Sequence, residues 1–259
     1  MTSVENMLAV YNATPADSML RSILRRILAN LKDVGDMTIY DLADTCYTSP
    51  ASISRLVKKL GYKNYSYFQK DVVDCISKYE HHNRLIPLDS IPEDQDLPDY
   101  FMDTLEGLMA NMRRKLDKER VGRLTRMIHD SEKVSVYSYT GYFAEIFLQS
   151  DLFMTGRICD VYQQEREMLE HTQQLTDRDL VILLAPKCIQ GTDADRIIDY
   201  VHRQGAKVCI ITDSRHFSGL KKAEESFVFE GVMHSVDTLV LQMFLCIVVM
   251  EYRRIYIDE

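Results

Sequence analysis

Apolar residues recur with a helical period through the first 80 positions, and change to short β-branched runs after about residue 130. Met19, Ile23, Ile27 and Leu31, with Leu20, Leu24 and Leu28 beside them, predict a helix over 17–32. A short helix is expected over 1–14, and further helices over 38–45 and 50–60. Phe68, Val72, Val73 and Ile76 predict another over 66–79. The segment 97–130 reads as two helices broken near Leu116 and Asp117. Beyond it, the runs Lys133–Tyr139, Arg157–Tyr162, Asp179–Ala185, Ala206–Thr212 and Ser226–Glu230 read as strands. Helical segments at 142–154, 164–172, 192–204 and 216–223 alternate with them.

Strand and helix in alternation imply a parallel sheet covered on both faces, with right-handed crossovers. The expected fold class is therefore α/β, a doubly wound parallel sheet preceded by an all-α helix-turn-helix domain. Ligands of such sheets bind at the carboxyl ends of the strands, which directs attention to the loops after Tyr137 and Leu184. Between Ile86 and Tyr100 lie Pro87, Pro92 and Pro98 with acids and no cation. The expected organisation is a helical domain over 1–80, an acidic, proline-containing linker over 81–100 and the α/β domain over 101–259.

Within the first domain, Ser49 to Lys63 carries a complete helix signature. Ser49 is placed to cap, Pro50 suits the first helical position, and Gly61 suits the left-handed stop. Ile53, Leu56, Val57 and Leu60 fall on one face. The outer face holds Ala51, Ser52, Ser54, Arg55, Lys58 and Lys59, small and hydroxyl residues first and cations after. Upstream, Thr38 and Asp41 form a capping-box pair for a shorter helix. A short helix, a tight turn and a capped second helix make the helix-turn-helix pattern; a plain two-helix hairpin with a solvated basic face fits the same spacing. In a DNA major groove, Ser52, Ser54 and Arg55 would stand near base edges, with Ala51 allowing close approach. Ser49, Lys58, Lys59 and Lys63 would meet phosphates. Tyr65, in the following loop, is a further candidate for a phosphate, or a packing residue of the bundle.

Charge supports that reading only when resolved along the chain. The 259 residues carry a formal net charge of −8, which by itself argues against nucleic acid. Yet Arg55, Lys58, Lys59, Lys63 and Lys70 share the interval from Thr45 to Lys70 with no acid. Screening confines phosphate attraction to roughly 8–10 Å, so a local patch suffices. The six cysteines show neither C-x-x-C nor a cysteine–histidine cluster, and read as reduced core thiols. No metal and no cofactor is expected. The apolar run from Leu239 to Met250, interrupted only by Gln242, is too short for a bilayer, which needs about 20 residues. It fits a domain core or a subunit interface. No membrane partner is expected, and the cytoplasm is the expected compartment.

The run Met37 to Val72 resembles the RpiR-type bacterial transcriptional regulators. Ser49-Pro50-Ala51, Ile53-Ser54-Arg55, Lys58-Lys59-Leu60-Gly61 and Tyr65-Ser66-x-Phe68 match that family in order and spacing. The resemblance implies a C-terminal SIS domain, a sheet shared with sugar-phosphate isomerases. It also implies a homo-oligomer, a dimer or tetramer, bound to a double-stranded DNA operator, and control of carbohydrate metabolism.

It implies a phosphosugar effector as well, but the loops that hold phosphate in the family are altered. A glycine-rich turn ending in serine is replaced by Ser138-Tyr139-Thr140-Gly141-Tyr142, and a second hydroxyl-rich loop by Ala185-Pro186-Lys187-Cys188-Ile189-Gln190. Two readings follow. A repurposed pocket would use Ser138, Thr140, Gly141, Lys187, Gln190, Gly191 and Thr192; alternatively the domain serves as a dimerisation scaffold. No catalytic residues are expected, since Glu145, Glu165, His171 and His234 lack a cradle to position a substrate. The competing assignment is a sugar-phosphate-binding or isomerase-type SIS protein whose N-terminal helices only mediate association.

Overall fold

In the computed structural model the chain divides into two compact units, Met1–Arg84 and Leu85–Glu259. The residues described are all except 1–2, 83–85, 87, 142, 187–193, 232–234 and 259.

The first unit is helical: α1 (Ser3–Ala13), α2 (Met19–Ala29), a 3-10 turn (Leu31–Asp36), α3 (Ile39–Thr45), α4 (Pro50–Lys59) and α5 (Tyr65–His82). Its core gathers the expected stripes, with Leu24, Ile27, Leu42, Ile53, Val57, Phe68 and Val72 wholly buried. Two residues of the expected stripes are exposed: Met19, the first residue of α2, and Val73, beside Val72, which already fills the inward position of that turn.

The second unit opens earlier than expected. Ile86 is buried in its core, and Asp96 caps α6 (Leu97–Lys115), whose first turn contains Pro98. The last part of the acidic, proline-containing stretch, from Asp96, is thus the entry to a helix: proline costs nothing in a first turn, and acids there suit the helix dipole. α7 (Lys118–Asp130) follows across the break at Leu116 and Asp117.

Five parallel strands then form one sheet in the order β2-β1-β3-β4-β5. They are β1 (Lys133–Ser138), β2 (Ile158–Tyr162), β3 (Leu180–Ala185), β4 (Lys207–Thr212) and β5 (Glu225–Val228). Crossovers run through α8 (Ala144–Met154), α9 (Glu165–Thr172), α10 (Ala194–Arg203) and, between β4 and β5, a 3-10 turn at Ser218–Lys222. The chain ends in α11 (Thr238–Tyr256). The pleat sorts the strand residues between two cores. Val134, Val136, Ile182, Leu184 and Ile211 face the layer that contains α7, α8 and α11. Tyr137, Val181, Leu183, Val208 and Ile210 face α9 and α10.

Edge strand β5 is tied to α7 through Glu225, which pairs with Arg120 at 3.0 Å and Arg123 at 2.5 Å. Arg120 also donates to the Ser226 carbonyl, occupying a group that an open edge would present to another chain. Described cysteines are free thiols, with Cys46, Cys159 and Cys209 buried. Burial pushes the Cys159 thiol up to about 12. Among the described residues no helix is long and apolar enough to cross a membrane, and no group of three His, Cys, Asp or Glu is placed to hold a metal ion.

Candidate functional site

Two places merit examination: the outer face of α4 in the first unit, and the carboxyl ends of β1 and β3 in the second.

The cap hydrogen bonds of α4 follow its sequence. Ser49 Oγ accepts from the Ser52 amide at 3.2 Å, and Pro50 occupies the first turn. At the other end the Gly61 amide bonds Lys58 O at 3.0 Å and the Tyr62 amide bonds Val57 O at 3.1 Å. That paired closure requires the left-handed φ of +91° at Gly61. The Asn6 side chain donates to Leu60 O at 2.8 Å, so α1 also secures this end. The capping box of α3 is complete: Asp41 accepts from the Thr38 amide at 2.8 Å, while Thr38 Oγ1 accepts from the Asp41 amide at 3.2 Å. Those bonds hold the Asp41 carboxyl below its usual range.

With Ile53, Leu56 and Val57 buried, α4 turns its polar residues outward. Ser49, Ala51, Arg55, Lys58, Lys59 and Lys63 are exposed, and Ser52 and Ser54 half-buried. Ser49 and Ser52 hydroxyls lie 3.1 Å apart, and Arg55 Nη2 donates to Ser52 Oγ at 3.3 Å. The fold thus brings together every predicted residue of α4. Tyr65 is engaged within the unit. Its hydroxyl donates to Met37 O at 2.8 Å, and burial pushes its phenol up to about 12. Beside it, Gln69 Nε2 donates to Met37 O at 2.8 Å and Gly35 O at 2.9 Å. α5 therefore holds the segment that leads into α3.

One feature of the turn escaped the sequence reading. Tyr47 has φ +50° and is 78% exposed, with the Arg26 guanidinium 4.4 Å over its ring. Arg26 of α2 is thereby placed beside the turn between α3 and α4. Arg21 of the same helix donates to Thr14 O at 2.7 Å.

In the second unit, Ser138 ends β1, and Thr140 and Gly141 follow it, with φ +96° at Gly141. Their surroundings differ from an open phosphate cradle. Ser138 Oγ donates to Glu145 Oε1 at 2.5 Å. Gln242 Nε2 donates to the same oxygen at 2.8 Å, and also to Thr140 Oγ1 at 2.5 Å. The Phe143 amide donates to Glu145 Oε2 at 3.0 Å. Glu145 is 0% exposed and, through the Phe143 amide, caps the start of α8. Gln242 was legible only as the polar interruption of an apolar run. Lys187, Gln190, Gly191 and Thr192, with Tyr142 and His234, lie outside the described residues.

On the opposite face of β1, the Tyr137 hydroxyl sits 2.7 Å from His171 Nδ1, and Tyr162 stacks on His171 with centroids 4.5 Å apart. Burial lowers the His171 pKa, opposed by the nearby carboxylates of Asp160 and Asp179, while Lys133 lowers it further. Burial also raises the Tyr137 phenol. Glu165 accepts from the Tyr139 hydroxyl at 3.2 Å. These contacts account for Tyr137, Tyr139, Tyr162, Glu165 and His171 by packing and hydrogen bonding.

No protein-family model and no curated protein sequence matches the chain. Solved structures do. The NanR protein of Vibrio vulnificus, complexed with ManNAc-6P, superposes with a TM-score of 0.52 at 18% identity, covering 98% of this chain and 92% of that one. The sugar isomerase domain of an RpiR transcription factor from Sphaerobacter thermophilus gives 0.52 at 19% identity, covering 62% of this chain and 91% of that one. At such identities the likeness is one of fold. It agrees with the resemblance carried by Met37 to Val72, and the chain has the fold of the RpiR-type regulators, a helical unit followed by a SIS-type parallel sheet.

Proposed function

We propose that the chain is a sequence-specific, DNA-binding transcriptional regulator that works as a homo-oligomer in the cytoplasm and is not an enzyme. The observation that carries this reading is the outer face of α4. There Ser52 and Ser54 occupy the N-terminal half, Arg55, Lys58 and Lys59 the C-terminal half, and no acid intervenes. A helix so arranged can bring Arg55 to a guanine edge while the lysines and Ser49 meet phosphates on either side. Arg26 and Lys63 extend the basic surface beyond the helix ends. Resemblance to RpiR-type regulators, and the ManNAc-6P bound by the NanR protein, support carbohydrate metabolism as the regulated field.

Self-association is supported by α8. Phe143, Ile146, Phe147, Phe153 and Met154 are all exposed along it, and they fall on one helical face. Leu239 and Met250 are exposed on α11, part of whose surface packs on α8. Water-exposed apolar stripes of this kind favour burial against a partner, and a two-fold pair would present two copies of α4 to a pseudo-palindromic site.

The test is selection of bound duplexes from a random pool, followed by mobility shift across a salt series. A pseudo-palindromic sequence should be enriched. Its association constant should fall with a log–log salt slope of about −5, if three lysines on each of two protomers neutralise one phosphate each. Enrichment of no sequence at low salt would refute the assignment.

A further inference from the structure

We propose that Glu145 is a built-in occupant of the second unit's anion seat: its carboxylate takes the place a phosphate group would fill, which makes the domain independent of a phosphorylated effector. The inference rests on the second unit alone and stands apart from the DNA-binding reading. Strands β1 and β3 are neighbours, and the crossovers that leave them run in opposite directions along the sheet, β1 to β2 and β3 to β4, which leaves a crevice at their carboxyl ends. Sheets of this kind take ligands at that point.

What lies there is a receptor for acidic oxygens. Oε1 accepts from Ser138 Oγ and Gln242 Nε2, with Thr140 Oγ1 at 3.4 Å, and Oε2 accepts from the Phe143 amide. Hydroxyls, a carboxamide and a backbone amide at a helix start are the groups that hold phosphate in proteins. Ser138 is 1% exposed and Gln242 4%, so the receptor is built into the interior.

Burying a carboxylate is costly unless every oxygen is hydrogen-bonded, and here both oxygens are. Gln242 is held in turn, its Oε1 accepting from the Ala144 amide at 2.9 Å. The seat is therefore filled and braced by residues from β1, α8 and α11. An external phosphate entering it would have to expel Glu145 and leave that carboxylate uncompensated in the interior.

The experiment uses the full chain and inorganic phosphate, with sodium chloride at matched ionic strength as the control. Thermal unfolding of the wild type should be the same in both salts. Glu145→Ala should melt lower and then gain roughly 3–6 °C in saturable fashion when phosphate reaches ten times its dissociation constant. Glu145→Ser, whose hydroxyl can partner one freed donor, takes its place if the alanine variant does not fold. Saturable stabilisation of the wild type by phosphate would overturn the proposal, and that measurement needs no variant. So would a folded Glu145→Ala or Glu145→Ser protein that responds identically to phosphate and chloride.

Discussion

Gln242 of α11 and Glu145 of α8 stand 97 residues apart in sequence and 2.8 Å apart in the fold. The glutamine is the polar break in the apolar run of the last helix, and its three hydrogen bonds reach Thr140, Ala144 and Glu145. Replacing it with leucine of similar volume strips a buried carboxylate of a donor and the Ala144 amide of an acceptor. Gln242→Leu should lower the unfolding free energy by about 1–3 kcal/mol, read as a fall in urea midpoint with little change in slope. An unchanged midpoint would mean that water or a neighbour replaces both bonds.

Arg55 separates base reading from phosphate binding. If it meets a base, Arg55→Ala should weaken binding to the selected sequence by about 1–3 kcal/mol and leave random DNA nearly unaffected. Lys58→Ala should weaken both equally and reduce the salt slope by about 1. Equal losses on both DNAs for Arg55→Ala would reassign it to the backbone.

His171 gives the second unit a pH dependence with a defined sign. Its folded-state pKa lies below the ordinary 6.5, chiefly through burial. Between those two values the unfolded chain binds the proton and the folded chain does not, so stability is full above about pH 6.5 and declines as pH falls toward the folded value. His171→Gln should remove that part of the acid slope while keeping a polar group against Tyr137. Chemical denaturation at a series of pH values checks it, and an unaltered slope would exonerate the histidine.

The apolar face of α8 gives a prediction about assembly. Phe147 is 53% exposed and its ring meets Phe143 edge-on at 5.9 Å. If the face is buried between copies, Phe147→Asp should raise the dissociation constant at least tenfold without loss of melting temperature for the monomer. Sedimentation across a concentration series reads this. Unaltered association would move the interface elsewhere.

The sequence by itself determined the helices and strands, because their signals are local. Capping residues, a proline in the first turn, a left-handed glycine and the spacing of apolar side chains act within one or two turns. α3, α4 and all five strands therefore lie within a residue or two of their expected ends. It determined the outer face of α4 as well, since burying Ile53, Leu56 and Val57 leaves Arg55, Lys58 and Lys59 no other direction. Three matters only the tertiary structure decided. Pro98 reads as linker by composition and as helix start by spacing, and the Asp96 side chain, which accepts from the Asp99 amide, makes it a helix start. Tyr65 offers a hydroxyl, and only the approach of Met37 across 28 positions gives it an acceptor within the unit. The partnership of Ser138, Glu145 and Gln242 depends on three elements converging at the end of one strand, and no periodicity along the chain encodes a contact of that range.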